Sequence, residues 1–522
     1  MSWGSKMSSL GAADRETSFT DAVVTVDPTV IDGDLDQRVF GGLVEHVGRS
    51  IYGGVTTAAN GLFPPDLVRH DVLQALREMR VSVVRWPGGN FASGYDWRDG
   101  IGPVDQRPAR SNLSWLEEEP NTFGTNEFLS WAADLGAEPY LVVNMGTGNI
   151  DLAQAWVEYC NGSGNTYWAN LRRSHGREAP YGVRYWGLGN EVYGEWQIGQ
   201  MDVHDYVKKA REFSKVMLWT DPEIELVSCG RDGMSDWDRV VIEELAEYVR
   251  WHSIHVYTGS TDHWTNVLSP HHVARAVRNV SSIIERVRYV KQIPHPIHVA
   301  VDEWNVAYRT MDEVGWRNHF RAALDERYTL SDTVAVSSFL TTFVRLHREL
   351  RMANLGQLIN ALGALVTNED TVLRQGIYHA FALFSRNAQE FVTPVTVHSR
   401  RVNMPVGDEV GPRTFRIADL GPFDVLDAAA TVNVRGDELT VWLVSRDPDS
   451  STRVEVRTTG RQIRNPTRVE LLRGPEPEAV NSFQHPDQID VQYLSINADE
   501  ERLHLELPPC GVAAVRLTLV AE

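Results

Sequence analysis

Between residues 38 and 385 of the 522-residue chain, short apolar runs alternate with longer stretches whose hydrophobic positions recur at helical spacing. Strands are expected over 38–45, 81–86, 139–144, 183–188, 225–229, 253–257 and 297–302, with a weaker eighth near 355–359. Helices are expected over 65–79, 126–135, 203–218, 240–250, 270–290 and 332–350. Strand and helix in alternation, each pair taking tens of residues, is the pattern of parallel βα units. Eight units predict an α/β fold closed as a (β/α)8 TIM barrel. An open doubly wound sheet would show the same local alternation, so the count alone does not separate the two.

After about residue 386 the pattern changes to short β segments over 391–398, 425–434, 439–445, 452–457, 468–472 and 503–507, broken by Gly, Pro, Asp and Asn. This predicts a C-terminal antiparallel β-sandwich domain. Residues 21–30 alternate like a strand and are expected to pair into it. The division expected is a flexible tail over 1–20, the barrel over 38–385, and a sandwich built from 21–37 and 386–522.

Composition narrows the function. The chain carries 50 Lys+Arg against 70 Asp+Glu, a formal charge of −20. That balance argues against a nucleic-acid surface, which needs clustered cations. No apolar run approaches the roughly 20 residues that span a bilayer. The first residues lack the apolar core of a secretory signal. Three cysteines, Cys160, Cys229 and Cys510, give an odd number and no CxxC, so no disulfide framework is indicated. A soluble cytoplasmic protein is expected.

Candidate chemistry follows from where polar residues fall on this frame. Glu45-His46 closes the first expected strand, Arg85 and Asn90 the second, and Asn144 the third. Asn190-Glu191 closes the fourth, His255 and Tyr257 the sixth, and Glu303 the seventh. Barrel interiors are apolar and chemistry gathers at the C-terminal strand ends, so these groups should converge on one pocket. Glu191 and Glu303 fall on opposite sides of such a mouth. Two carboxylates across a sugar-sized gap, one protonated and one ionised, meet the requirement of glycoside hydrolysis.

Gly189-Asn190-Glu191 with Asp302-Glu303-Trp304-Asn305 resembles the retaining glycosidases of clan A. Further segments resemble glycoside hydrolase family 51, the α-L-arabinofuranosidases. These are Phe40-Gly-Gly-Leu-Val-Glu-His-Val-Gly-Arg49, Arg85-Trp-Pro-Gly-Gly-Asn-Phe91, Trp156-Val-Glu-Tyr-Cys-Asn161, Trp196-Gln-Ile-Gly199, His255-Val-Tyr257 and Ala353-Asn-Leu-Gly-Gln-Leu-Ile-Asn360. The resemblance implies Glu191 as general acid/base and Glu303 as nucleophile. It implies Arg85 and Tyr257 beside Glu303, His255 beside Glu191, and Glu45, Asn90, Asn190 and Gln357 on the sugar hydroxyls. It further implies an exo-acting, retaining enzyme for arabino-oligosaccharides or arabinan and arabinoxylan fragments. No cofactor and no catalytic metal are implied, and a homohexamer is. The chain departs from many members at Val192-Tyr193-Gly194-Glu195, where Met-Asp-Gly-Pro is common, which bears on leaving-group preference.

Other readings carry less. A clan A endo-glycanase shares the chemistry, and a carbohydrate-binding protein on a decayed barrel would share the fold. Gly146-Thr-Gly148 and Gly187-Leu-Gly189 lack the third glycine of a dinucleotide loop, which disfavours an oxidoreductase. His263, His271 and His272 lack metal-ligand spacing and read as a solvated loop. Trp86, Trp97, Trp115, Trp196 and Trp304 divide between sugar-stacking and core.

Overall fold

The computed structural model describes residues 19–57, 68–309, 324–404 and 417–520. The expected tail, as far as residue 18, and the start of the helix expected from residue 65 lie outside the described residues. Eight parallel strands close into a barrel in chain order. They are Gly41–Leu43, Val83–Trp86, Glu138–Val143, Tyr185–Leu188, Glu225–Ser228, Trp251–Thr258, His298–Val306 and Leu350–Gly356. The eighth pairs with the first, Asn354 opposite Gly41. A Cβ at Gly41 would meet Asn354 Oδ1 at 2.3 Å and Val83 Cγ1 at 2.4 Å, so the seam closes on a glycine.

Several boundaries differ from the sequence pattern. The start of the first expected strand is a 3-10 turn, Gln37–Phe40, because Asp36 caps it by accepting from the Arg38 N–H at 3.0 Å. The helix expected over 332–350 is Leu330–Arg345. Thr329 and Asp332 cap its start reciprocally, and the chain then turns into the eighth strand, which begins at Leu350 rather than near 355. Helices Ile150–Asn161, Tyr167–Ser174 and Gly376–Asn387 were not foreseen.

Side-chain alternation along the barrel strands separates two environments. Trp86, Leu141, Trp186, Val256 and Val299 face outward into the main hydrophobic core with the surrounding helices. Val83, Tyr140, Val142, Tyr185, Val227, Trp251, Ala300 and Met352 pack together as a separate cluster that fills the barrel. Trp304 is fully buried and packs on Phe339 and Phe343 of the helix before the eighth strand.

The second unit contains a four-stranded and a seven-stranded sheet. Phe19–Val26 lies in the smaller one, antiparallel to Val395–His398 and parallel to Ser451–Thr458. The segment expected as one strand over 391–398 is two, Phe391–Thr393 and Val395–His398, in different sheets. Pro394 between them has no N–H to continue a ladder. Val512–Leu519, an unforeseen strand, lies inside the larger sheet between Glu438–Ser445 and Ile463–Arg473. Its first half, Val512–Val515, shows no alternation because both faces are covered there: Ala513 and Val515 pack between the sheets, while Val512 and Ala514 join the barrel-side core.

Candidate active site

The mouth of the barrel is built on one irregularity. Along the seventh strand Ala300 and Asp302 point inward and Val301 outward, so the next residue, Glu303, should also point outward. It does not, because this strand holds one extra residue against both neighbours. Ser253 pairs with Ala300 and His255 with Glu303, while Val301 pairs with Ala353 and Trp304 with Leu355. This bulge turns two successive carboxylates, Asp302 and Glu303, into the barrel and returns Trp304 to the helix side. Glu303, expected just past the strand, is therefore inside it.

Glu303 Oε1 accepts from Arg85 Nη1 at 2.6 Å and its Oε2 from the Tyr257 hydroxyl at 3.1 Å. Glu191 lies three residues past the fourth strand in a left-handed conformation, φ +44°, a strained geometry for a residue with a Cβ. Its Oε1 faces His255 Nδ1 at 3.0 Å, and the same nitrogen lies 3.5 Å from Glu303 Oε2. His255 thus stands between the two carboxylates. An oxygen of Glu191, one of Glu303 and a nitrogen of His255 all lie within 4.8 Å of one another.

Behind them sits Asp302, buried and bound to three partners. Tyr140 donates to its Oδ2 at 2.8 Å, Arg85 Nε lies 3.4 Å away, and His255 Nε2 lies 3.3 Å from its Oδ1. Burial alone would raise this carboxyl, but Arg85 and His255 outweigh it and hold Asp302 down at about 2. Burial likewise opposes a charged His255, yet Glu303, Asp302 and Glu191 raise it to about 10. Both ring nitrogens face carboxylate oxygens, an arrangement that favours the doubly protonated imidazolium.

A second polar group lines the same mouth. Glu45 Oε1 accepts from the Phe91 N–H at 3.0 Å and from Trp115 Nε1 at 2.9 Å, and Oε2 from Gln357 Nε2 at 3.1 Å. Gln357 in turn accepts from the Glu45 N–H at 3.0 Å. Burial raises Glu45 to about 7. The Pro87-Gly88-Gly89 backbone passes directly against this carboxylate: a Cβ on Gly88 would meet Glu45 Cγ at 2.5 Å, and one on Gly89 would meet Oε2 at 2.7 Å. Asn190 Oδ1 accepts from Arg85 Nη2 at 2.6 Å, while its buried Nδ2 has no acceptor among the described residues. Asn90 is half-buried at the start of the 3-10 turn Asn90–Gly94.

The structure thus gathers Glu45, Arg85, Asn190, Glu191, His255, Tyr257, Glu303 and Gln357 at one end of the barrel. Asn144 belongs elsewhere: it donates to Tyr95 O at 2.9 Å and accepts from the Gly146 and Gly148 N–H groups at 3.0 Å, so it braces its own loop. His46 lies behind the site, between Trp86 Nε1 at 3.0 Å and Glu119 Oε2 at 2.7 Å. The solvated loop expected at His263, His271 and His272 is instead helical and largely buried. His263 is held by Ser331 and by the Arg446 carbonyl, both at 2.9 Å. All three cysteines are buried, which pushes their thiols up.

Of the five tryptophans, Trp86, Trp97 and Trp304 are core, Trp115 is half-buried beside Glu45, and Trp196 is 39% exposed. Trp196 Nε1 donates to Glu191 Oε2 at 2.9 Å. Sequence reading missed Asp302, Tyr140 and Tyr193 as members of the site. The Asp302-Glu303 pair was visible, but strict alternation would place its two side chains on opposite faces.

Two family models match the chain: an α-L-arabinofuranosidase 1 domain over residues 75–274 and an α-L-arabinofuranosidase C-terminal domain over residues 302–510. An α-L-arabinofuranosidase C of Emericella nidulans is 42% identical over 366 residues, 67% of this chain and 71% of that protein. An intracellular exo-α-(1→5)-L-arabinofuranosidase 1 of Bacillus subtilis is 33% identical over 514 residues, 95% of this chain and 99% of that protein. Among solved structures, an α-L-arabinofuranosidase of Thermotoga maritima in complex with arabinose is similar with TM-score 0.88 and 35% identity, covering 95% of this chain and all of that one. The family 51 enzyme of Thermotoga petrophila is similar with TM-score 0.87 and 35% identity, covering 95% and 99%.

Proposed function

The chain belongs to the α-L-arabinofuranosidases of glycoside hydrolase family 51, and from that premise we propose that Glu303 is the nucleophile and Glu191 the general acid/base of a retaining hydrolysis. The substrate is a terminal, non-reducing α-L-arabinofuranosyl residue on an arabino-oligosaccharide or on an arabinan or arabinoxylan fragment. The observation that carries this reading is the Glu191–His255–Glu303 cluster. Its carboxylate oxygens approach within 4.8 Å, on the scale of the roughly 5–5.5 Å of retaining enzymes and well short of the inverting gap.

In the first step Glu303 attacks the anomeric carbon while Glu191 gives its proton to the departing glycosidic oxygen. In the second, Glu191 takes a proton from water, which attacks the arabinosyl-enzyme and frees Glu303. Arg85 and Tyr257 fix the two Glu303 oxygens for attack, and the His255 imidazolium sits beside both carboxylates as charge moves between them. Asn190 Nδ2, with no acceptor among the described residues, donates to the sugar 2-hydroxyl, a hydrogen bond that strengthens as oxocarbenium character develops. Glu45, Asn90 and Gln357 bind the remaining hydroxyls.

The named intracellular role of the Bacillus subtilis relative supports cytoplasmic work on imported oligosaccharides, and family resemblance supports a homohexamer. Fractionation and sedimentation check these two points. The chemistry is tested with 4-nitrophenyl α-L-arabinofuranoside. Wild type turns it over, and Glu303→Ala falls by on the order of 10⁴-fold or more because the covalent step is lost. Glu191→Ala recovers with azide and yields the α-azide, whereas a β-azide product would reject retention.

A further inference from the structure

The loop after Glu191, where the chain departs from many family members, reaches back to Glu191 itself. The Gly194 N–H donates to Glu191 O at 2.7 Å, closing a tight turn over Val192 and Tyr193. That turn folds the Tyr193 hydroxyl onto its neighbour's carboxylate, where it donates to Glu191 Oε1 at 3.1 Å. The ring is held from three sides. It packs edge-on to Trp237 at 5.6 Å and to Trp196 at 6.2 Å, and the Arg231 guanidinium lies 5.4 Å from its centre.

Oε1 therefore accepts two hydrogen bonds, one from Tyr193 and one from the His255 Nδ1–H at 3.0 Å. A carboxyl oxygen has two lone pairs, and both of these are engaged. A proton on Glu191 is then carried by the other oxygen, Oε2, which lies beside the part-exposed Trp196 and accepts from its Nε1 at 2.9 Å. A protonated Oε2 still has a lone pair for Trp196 and directs its O–H away from the two donors on Oε1. We propose that Tyr193 is a positioning residue that fixes the transferable proton on Glu191 Oε2, and that this loop thereby sets how well the enzyme cleaves poor, alkoxide-type leaving groups such as a second sugar. The proposal rests on Glu191 being the acid/base.

Without the phenol, Oε1 regains a lone pair, the proton divides between the two oxygens, and the carboxyl group is freer to rotate. Leaving groups that depart without protonation are little affected by that, whereas sugars and alcohols are. The experiment measures kcat/KM for wild type, Tyr193→Phe and Glu191→Ala on aryl α-L-arabinofuranosides of graded leaving-group pKa, with arabinobiose as the poorest leaving group. Phenylalanine keeps the ring on Trp237 and Trp196, and thermal melting checks that the fold is unchanged.

The expected result for Tyr193→Phe is a steeper dependence on leaving-group pKa, with arabinobiose losing about tenfold more than the nitrophenyl glycoside. Glu191→Ala should be steeper still. A uniform loss across the series, or an unchanged slope, in Tyr193→Phe alongside a steep Glu191→Ala overturns the role of Tyr193 and leaves Glu191 in place. A Glu191→Ala variant with the wild-type slope overturns the acid/base reading, and the proposal with it.

Discussion

The protein buries charge in two places, and they are built differently. At the junction of barrel and sheets, Asp427 accepts from Thr341 at 2.7 Å and from Arg345 and Arg446 at 2.5 Å each. Arg446 spends its remaining donors on Ser338 at 3.2 Å and the Asp424 carbonyl at 3.1 Å. Burial opposes ionisation of Asp427, but the two arginines force it far below the usual carboxylate range. Two cations enclose one anion there, and the group acts as a fastening between elements. At the mouth of the barrel the balance is reversed: one arginine and one imidazolium face Asp302, Glu303 and Glu191, and Glu45 lies close by. A buried charge alone therefore does not mark a site. A surplus of carboxylates, with a donor such as Asn190 Nδ2 left for a ligand, does.

The sharpest way to break that contrast is to remove the arginine from each group. Arg85→Met should lower kcat/KM by at least about 10²-fold, since it removes the group that orients Glu303. Arg446→Met should leave the mouth intact and cost about 3–5 kcal/mol of stability, read by denaturant unfolding, because Asp427 keeps its charge with half its compensation. Equal effects of the two changes on activity would erase the distinction.

A smaller effect separates the aspartates. His255 has its pKa raised from 6.5 to about 10, so the stabilising charge pairing is complete below about 6.5 and is lost as pH rises through 10. Asp302→Asn removes one of its anions, so the imidazolium should lose its proton at lower pH than in wild type. Histidine-selective NMR titration reads this, and an unmoved titration would detach Asp302 from His255.

The smallest effect is expected at Glu45. Its pKa is raised from 4.5 to about 7, so the folded state binds the extra proton between those values, and stability falls as pH rises from 4.5 to 7. Glu45→Gln should flatten that slope in pH-dependent melting while weakening sugar binding.

Much of this was legible in the chain. The alternation of apolar runs and helical stretches fixed the order of strands, because each strand must bury a face and each parallel crossover needs a helix. Glu191 and Glu303 stood out since both follow apolar runs and both carry aromatic neighbours. Pro394 announced a break that went unread, and Val512–Leu519 was missed although only its first half, covered on both faces, lacks alternation. Closure of the barrel at Asn354 and Gly41 could not be read locally, since an open sheet has the same elements.

The sequence by itself determined the two glutamates, most of the polar groups around them, and the order in which strands would present them. Only the tertiary structure decided that Asp302 and Glu303 both face inward, that His255 stands between two carboxylates, and that Tyr193 folds back onto Glu191. The physical reason is that residue type and periodicity are local properties. A bulge exists only relative to the neighbouring strands, and the charge of His255 is set by acids that meet it from 64, 48 and 47 positions away along the chain, at Glu191, Glu303 and Asp302.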